Sequence, residues 1–243
     1  MMLRTLRPRC AIHSLRPAAQ RSFISLPGAE PQHLTATRIL PYPASKLYTV
    51  IADIDSYSSF LPYCIGSRVT KWSAPDANGK KWPAEADLSV GWGGYEETFT
   101  SKTFCVPGSI VEALGGSAVT TLSSAQLPHY SAIDTPGPSN STFTSLSTSW
   151  TIRPFHFKPP PVSGTPQTNN THEEAREQTE VHLVLDFEFK NPIYAALSKA
   201  VAPKVAGIMI EAFEVRAREL LDGPAARVRG RDPLQSHFEK GEA

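Results

Sequence analysis

The feature that most restricts the fold of this chain is a change in the spacing of its apolar residues near the C-terminus. Residues 180–190 alternate between apolar and polar types, as expected of a strand with one buried face. From residue 192 to residue 221 the apolar period becomes 3.6, which predicts a long helical region that Pro203 divides into a short piece and a main helix. A long helix after the last strand must cover the apolar face of a sheet.

The remaining strands are predicted from the same two-residue period. Residues 82–92 alternate most cleanly, and the short connections between strands indicate an antiparallel sheet. The predicted order is a strand, a helix, further strands and the long helix, which is an α+β arrangement. A strongly curved sheet wrapped around a helix leaves an apolar space between them. The other predicted strands are residues 33–40, 65–72, 95–106, 109–114 and 142–154.

A short helix at residues 43–54 leads into an unusually apolar corner. Pro43 suits the first turn of this helix because its missing N–H is not needed there. The corner that follows is too apolar for an ordinary connecting loop. It either packs on the core or lines the mouth of a site for an apolar ligand. The corner residues are Tyr57, Phe60, Leu61, Pro62, Tyr63 and Cys64.

The main C-terminal helix has a wider apolar band than packing on a sheet requires. Such a helix needs an apolar stripe of a little over about 100°, whereas this band covers roughly two thirds of the circumference. The extra width implies a second apolar neighbour, namely the corner, a lipid, a membrane surface or another subunit. The alternative is that its own domain packs the helix on all sides. Arg216 and Glu219, three residues apart, are expected to pair.

The first 29 residues contain five arginines and no acidic residue. With scattered serines and no continuous apolar stretch, they are typical of a mitochondrial targeting peptide. The folded domain is predicted at residues 30–224, with disordered insertions near residues 115–141 and 157–178, which are rich in Ser, Thr, Gly and Pro. Residues 225–243 are predicted to be a charged, flexible tail.

Composition and motifs argue against several classes of function. The formal net charge of +1 gives no electrostatic support for nucleic acid as a partner. No run of about 18 apolar residues predicts a transmembrane helix, and three widely separated cysteines predict neither a disulfide framework nor a zinc site. The sequence contains no hydrolase, metalloprotease or nucleotide-binding motif. Glu97 is the best candidate for an inward carboxylate, and pairing with Arg216 or a neighbouring strand explains it more simply than general-base chemistry.

Five sequence segments carry a resemblance to a known family. They are Y-x-x-F-L-P-Y-C at residues 57–64, W-G-G-Y-E-E-T-F-T-S-K at residues 92–102, V-E-A at residues 111–113, D-F-E-F-K-N-P at residues 186–192 and I-E-A-F-E-V-R-A at residues 210–217. Together they resemble the mitochondrial coenzyme Q-binding protein family, within the START and polyketide-cyclase-like superfamily. The resemblance covers residues 33–221. It implies a helix-grip (START-like) fold, in which a curved antiparallel sheet is wrapped around a long C-terminal helix with an apolar tunnel between them.

The resemblance also implies what the chain binds and where it acts. The implied ligand is ubiquinone, and no catalytic cofactor is implied. The implied role is a non-catalytic chaperone that delivers or positions ubiquinone for respiratory electron transport and for ubiquinone biosynthesis, with biosynthetic enzymes as candidate partners. The implied place is peripheral, on the matrix side of the mitochondrial inner membrane. The alternative is a cyclase or hydrolase of the polyketide cyclase type that acts on an aromatic substrate.

The predicted ligand-binding residues form the wall and the mouth of this tunnel. The mouth is predicted at the corner, whose apolar residues are also candidates for contact with the bilayer, and the Tyr63 hydroxyl is a candidate for contact with the quinone ring. For each wall residue, packing in the core is the alternative to ligand contact. The predicted residues are Phe60, Leu61, Pro62, Tyr63, Leu88, Val90, Trp92, Phe99, Trp150, Leu185, Phe187, Val205, Ile208, Met209 and Phe213.

Overall fold

The computed structural model of the protein describes residues 31–92, 94–131, 133, 135–139, 142–155, 177–198 and 202–222. The predicted targeting peptide, the predicted tail and nearly all of the predicted insertion near residues 157–178 lie outside these ranges.

In the described ranges, seven strands form one antiparallel sheet in the order β1-β7-β6-β5-β4-β3-β2. Helix α3 lies over the inner face of this curved sheet and contacts β1, β7 and α1. The strands are β1 (Gln32–Leu40), β2 (Cys64–Trp72), β3 (Pro83–Trp92), β4 (Tyr95–Val106), β5 (Ile110–Gly116), β6 (Phe143–Phe155) and β7 (Gln178–Phe189). The helices are α1 (Ala44–Ala52), a 3-10 helix (Ile54–Ser59), α2 (Pro192–Ser198) and α3 (Ala202–Leu221).

This arrangement confirms the predicted α+β fold, with a curved antiparallel sheet and a long C-terminal helix. The predicted division of the C-terminal helical region is also confirmed, since α2 ends at Ser198 and α3 begins at Ala202. Pro203 is the second residue of α3. A proline is tolerated there because N–H groups in the first turn have no partner within the helix.

Helix α1 and the 3-10 helix after it close one end of the sheet. Leu47, Tyr48 and Ile51 of α1 are buried, and the ring of Tyr48 meets that of Trp82 edge to face with centroids 5.2 Å apart. The 3-10 helix extends through residues that the sequence assigned to the corner. Tyr57 is therefore buried, and its hydroxyl donates a hydrogen bond to the Ile51 carbonyl. The first part of the corner thus packs on the core.

The two-residue periods predicted for the strands correspond to two distinct faces of the sheet. Trp150 of β6 and Leu183 of β7 are buried on the inner face. On β4, Glu97 and Phe99 share this face, whereas Thr98 and Phe104 belong to the outer face. Both faces of β4 are therefore covered, although by different parts of the chain.

The wide apolar band of α3 has two different neighbours. One side packs into the core through buried residues such as Ile210 and Phe213, while the adjoining side faces a cavity. At the far end of the band, Val215 and Leu220 remain about half exposed. The predicted pair of Arg216 and Glu219 is confirmed, with Nη1 and Oε2 3.6 Å apart.

The outer face of β4 and β5 is covered by residues 117–139, which we call the outer segment. It contains neither helix nor strand in its described residues, yet Leu127 is fully buried and packs with Phe104, Leu114 and Ala118 in a small core of its own. The Tyr130 hydroxyl ties it to the sheet by donating to the Pro83 carbonyl at 2.7 Å.

The prediction of a disordered insertion near residues 115–141 is therefore wrong for these described residues. The segment buries too few apolar side chains to show a period, but Leu127 is buried completely, and Leu122, Tyr130 and Ile133 are partly buried against its core. Gly137 lets it approach closely, because a Cβ there would lie 2.6 Å from the Leu114 carbonyl oxygen.

Candidate functional site

A cavity of about 370 Å³ lies between the inner face of the sheet and helix α3. Strands β3 to β7 supply one wall, α3 supplies the other, and the 3-10 helix and the corner close one side. Pockets of about 300–1,000 Å³ that are mainly apolar with a few polar groups are typical of small-molecule sites. The packing of α3 on the sheet therefore leaves room for a ligand.

Most of the predicted ligand-binding residues line this cavity. Residues in the first turns of α3 reach the cavity because they precede the part of the helix that packs directly on the sheet. The predicted residues that line it are Leu61, Pro62, Tyr63, Leu88, Val90, Phe99, Trp150, Leu185, Phe187, Val205, Ile208 and Met209. Trp92 is the last residue of β3, and its side chain lies outside the described part of the structure.

Two predicted residues, Phe60 of the mouth and Phe213 of the wall, are not among those that line the cavity. Phe213 is buried among aromatic rings, with centroid distances of 4.6 Å to Trp150, 5.2 Å to Tyr57 and 5.0 Å to Phe60. The Arg216 guanidinium lies over the ring of Phe60, 5.6 Å from the ring centroid. These rings form the packed end of the cavity, and Trp150 stands between Phe213 and the open space.

The cavity reaches the surface at the corner. Among the described lining residues, Pro62 and Tyr63 are the two that are exposed. Tyr63 is 44% exposed to solvent. Tyr63 has a positive φ of 65°, which is uncommon for a residue other than glycine. Its carbonyl accepts a hydrogen bond of 2.9 Å from the Gly91 N–H, so the corner is fastened to the end of β3. The predicted position of the mouth therefore agrees with the geometry.

Glu97 lies on the cavity wall near this mouth, and both of its oxygens accept hydrogen bonds. The Tyr194 hydroxyl of α2 donates to Oε1 at 2.9 Å, and the Thr142 hydroxyl donates to Oε2 at 3.3 Å. The sequence predicted an inward Glu97 with Arg216 or a neighbouring strand as its simplest partner. Arg216 pairs with Glu219 instead, and the hydroxyls of Tyr194 and Thr142 are the partners of Glu97. The carboxylate thus joins β4 to α2 and to the residue that precedes β6.

The inner end of the cavity has a different polar group. Ser101 and Thr103 follow Glu97 and Phe99 along the inner face of β4, beside the small residues Ala86 and Ala113. Ser101 is 1% exposed and Thr103 is 0% exposed. Neither side-chain oxygen has a hydrogen-bond partner among the described residues. Two buried hydroxyls are therefore unpaired at this end of the cavity, where Thr148 of β6, the partner of Ala113 in the sheet, also lines the wall.

The predicted site did not include these hydroxyls, although the sequence of β4 indicates that they face inward. The two-residue period of β4 carries Ser101 and Thr103 onto the same face as Phe99, and polar residues on a predicted buried face require partners. Phe143 and Leu146 of the cavity wall were also absent from the predicted site.

The ionisable groups buried in the wall favour their neutral forms. Desolvation by burial raises the pKa of the Cys64 thiol and, more strongly, that of the Tyr57 hydroxyl. Both groups therefore remain protonated at neutral pH. Within the described ranges, no group of three or more His, Cys, Asp or Glu side chains is placed to hold a metal ion. No described helix is both long enough and apolar enough to cross a membrane.

Comparison with known proteins agrees with this architecture. A family model described as polyketide cyclase / dehydrase and lipid transport matches residues 40–214. The chain belongs to this family. A START superfamily protein from Mycobacterium smegmatis, whose structure is solved, has the same fold with a TM-score of 0.50 at 15% identity, over 77% of this chain and 98% of that one.

Two relatives that are similar to most of this chain have different names. The mitochondrial coenzyme Q-binding protein of Schizosaccharomyces pombe is 30% identical over 183 residues, which is 75% of this chain and 85% of that protein. The ribosome association toxin RatA of Escherichia coli is 26% identical over 187 residues, which is 77% of this chain and 87% of that protein. The family resemblance predicted from the five sequence segments is confirmed.

Proposed function

We propose that this protein binds ubiquinone in the cavity between the sheet and α3, and that it carries or positions the ligand without transforming it. The observation that supports this most directly is the character of the cavity. Its wall is mainly aliphatic and aromatic, and Glu97 is the one Asp, Glu, His, Lys or Arg side chain among the described lining residues. Such a wall suits a ligand that is apolar over most of its length. The coenzyme Q-binding name of the relative from Schizosaccharomyces pombe supports the same ligand.

The physical need for such a carrier follows from the tail of ubiquinone. Each CH₂ group removed from water gains about 0.8 kcal/mol, so one five-carbon isoprene unit gains roughly 4 kcal/mol. A polyprenyl quinone therefore does not leave a membrane unaided. A protein that covers the quinone and its first isoprene units lowers this cost and holds the ligand in one orientation.

The same proposal assigns a place to the protein. The Arg-rich first 29 residues favour import into mitochondria, and the relative from Schizosaccharomyces pombe is named mitochondrial. We place the protein peripherally on the matrix side of the inner membrane, where ubiquinone is used in respiration and where enzymes of its biosynthesis are candidate partners. Exposed apolar side chains at Tyr63 and Ile65, beside the mouth, suit contact with a bilayer.

Glu97 is the group on which a cyclase or hydrolase activity would depend. The hydroxyls of Tyr194 and Thr142 already donate to its two oxygens, so the carboxylate has a structural role as a link between elements. A general base must reach the proton that it abstracts within hydrogen-bond distance. We therefore propose binding without catalysis.

The experiment that tests the proposal measures bound quinone directly. The full-length protein is purified, extracted with organic solvent and analysed for ubiquinone, and it is then incubated with liposomes that contain ubiquinone and separated from them again. We expect ubiquinone to co-purify and to be extracted from the liposomes by the protein. Absence of quinone in both measurements would contradict the proposal.

A further inference from the structure

We propose that a bound ubiquinone enters ring first, so that its quinone ring lies against the hydroxyls of Ser101 and Thr103 and its tail leads out past Leu61, Pro62 and Tyr63. This inference rests on the proposed binding of ubiquinone. It adds the orientation of the ligand and the residues that recognise its polar end.

The hydroxyls of Ser101 and Thr103 are buried and unpaired. Both side chains line the cavity, both are at least 99% buried, and neither oxygen has a hydrogen-bond partner in the described structure. A buried hydroxyl without a partner destabilises a folded protein, and such groups are uncommon. A ligand that places hydrogen-bond acceptors at this end of the cavity removes the penalty.

The polar groups at the two ends of the cavity are far apart. Glu97 pairs with Val90, which pairs in turn with Cys64, the residue after Tyr63, so Glu97 lies at the mouth. Thr103 is six residues further along β4. At a rise of about 3.3 Å per residue, its Cα lies roughly 20 Å from that of Glu97. The two ends are therefore distinct sites.

The two ends of the cavity differ in their hydrogen-bonding chemistry. The oxygens of a quinone ring are acceptors, and an ionised carboxylate is an acceptor as well, so Glu97 has no donor to offer to them. The neighbouring hydroxyls of Tyr194 and Thr142 donate to Glu97. A Ser or Thr hydroxyl can donate to the quinone and can also accept from the hydroxyls of the reduced quinol. The inner end therefore suits both redox forms of the ring.

The size of the cavity also favours a ring-first orientation. At about 370 Å³ it lies at the lower end of the range for small-molecule sites. It accommodates a ring with its first isoprene units but not a long polyprenyl tail. With the ring innermost, the rest of the tail extends from the mouth towards an apolar phase. With the tail innermost, the excess length has no place and both hydroxyls stay unpaired.

The test compares two ligands on the full-length chain. The ligands are ubiquinone with two isoprene units and squalene, an isoprenoid hydrocarbon without oxygen atoms. The double variant Ser101→Ala, Thr103→Val removes both hydroxyls, while Thr98→Val removes an exposed hydroxyl from the outer face of the same strand as a control. We expect the double variant to bind the quinone about tenfold more weakly, since a neutral hydrogen bond changes affinity by a factor of up to about ten. Squalene binding and the control should be unchanged.

Each other outcome has a separate meaning. If the wild-type protein binds no quinone, both the proposed function and this inference fail. If the wild-type protein binds quinone and the double variant binds it equally well, the inference alone fails. Equal weakening for quinone and squalene also overturns it, because the loss would then reflect packing.

A second measurement uses the unaltered protein and so does not depend on how the variants fold. Ubiquinone carrying a photoreactive azide on the ring is bound and irradiated, and the labelled peptide is identified. We expect labelling of β4 and β5 near Ser101, Thr103 and Ala113. Labelling at Leu61 to Tyr63 instead would place the ring at the mouth and overturn the inference.

Discussion

The two faces of β4 and β5 are covered in opposite ways. On the outer face, Phe104 and Leu114 meet Leu127 of the outer segment in a closed core. On the inner face, Phe99 and Ala113 of the same strands border the cavity. The outer segment has no regular structure in its described residues yet packs Leu127 into a closed core, whereas the regular helix α3 covers its side of the sheet and leaves a gap.

Polar groups show the same contrast. On the outer face, Thr98 shares a hydrogen bond of 2.7 Å with Ser89, and Thr100 donates to Asp87 at 2.6 Å. On the inner face, the hydroxyls of Ser101 and Thr103 are unpaired within the described residues. Buried hydroxyls without partners do not favour stability, so their presence on the inner face supports the proposed ligand site there.

The largest effect that this comparison predicts is on stability, through the outer core. Leu127→Ala should lower the free energy of unfolding by about 2–5 kcal/mol, because the side chain is fully buried and its removal leaves a cavity. Urea denaturation measures the loss, and Val119→Ala, at a side chain that is 58% exposed, is the matched control. A loss below about 1 kcal/mol would mean that the outer segment is not a true core.

The next effect concerns the inner face and is predicted for binding rather than stability. Ala86→Trp should fill the cavity and weaken ubiquinone binding at least about tenfold, because Ala86 lines it directly. Thr98→Trp adds the same bulk on the outer face and should leave binding unchanged. Fluorescence or liposome-transfer measurements with ubiquinone compare the two variants. If filling the cavity abolished ubiquinone binding but left respiration intact, the protein would act as a scaffold rather than a carrier. If ubiquinone binding itself were unchanged, the cavity would not be the ligand site.

A smaller effect is predicted from Glu112, a buried carboxylate on the outer face. Desolvation by burial raises its pKa, although the Thr120 hydroxyl donates to it. A raised pKa in the folded state means that its stabilising contribution is present below the ordinary pKa of a glutamate and is lost as the pH rises through the folded-state value. At pH 7 the buried charge therefore destabilises the fold.

Glu112→Gln removes that charge and should raise the melting temperature relative to wild type at pH 7. The difference should shrink as the pH falls to about 4, near the ordinary pKa of a glutamate. Thermal unfolding of both proteins across this pH range measures it, with the exposed Glu96→Gln as control. A gain that is equal at all pH values would point to packing instead of charge.

The sequence was sufficient to predict the sheet, the helices and most of the cavity wall, because these depend on periods of two and 3.6. It did not predict that the outer segment is packed, since Leu127 stands among polar and small residues and no local period marks it as buried. Nor could an apolar face show whether Phe213 meets a ligand or a neighbouring ring. That depends on how closely α3 approaches the sheet, which is limited where Phe213 packs on Trp150 at 4.6 Å.

The smallest effect expected on the inner face is that of Glu97→Gln. A glutamine keeps an acceptor for one of the two donors, Tyr194 and Thr142, and Glu97 does not contact the ring when the ring lies at Ser101 and Thr103. Ubiquinone affinity should therefore change by less than about threefold, well below the effect of Ala86→Trp, which equilibrium binding at constant pH can resolve. A loss of tenfold or more would place the quinone ring at the mouth, and loss of a turnover on an aromatic polyketide substrate that the wild type catalyses would make Glu97 a catalytic base. A quinone ring at the mouth would leave the contrast between the two faces of the sheet intact. A catalytic Glu97 would contradict the proposal that the protein carries its ligand without transforming it.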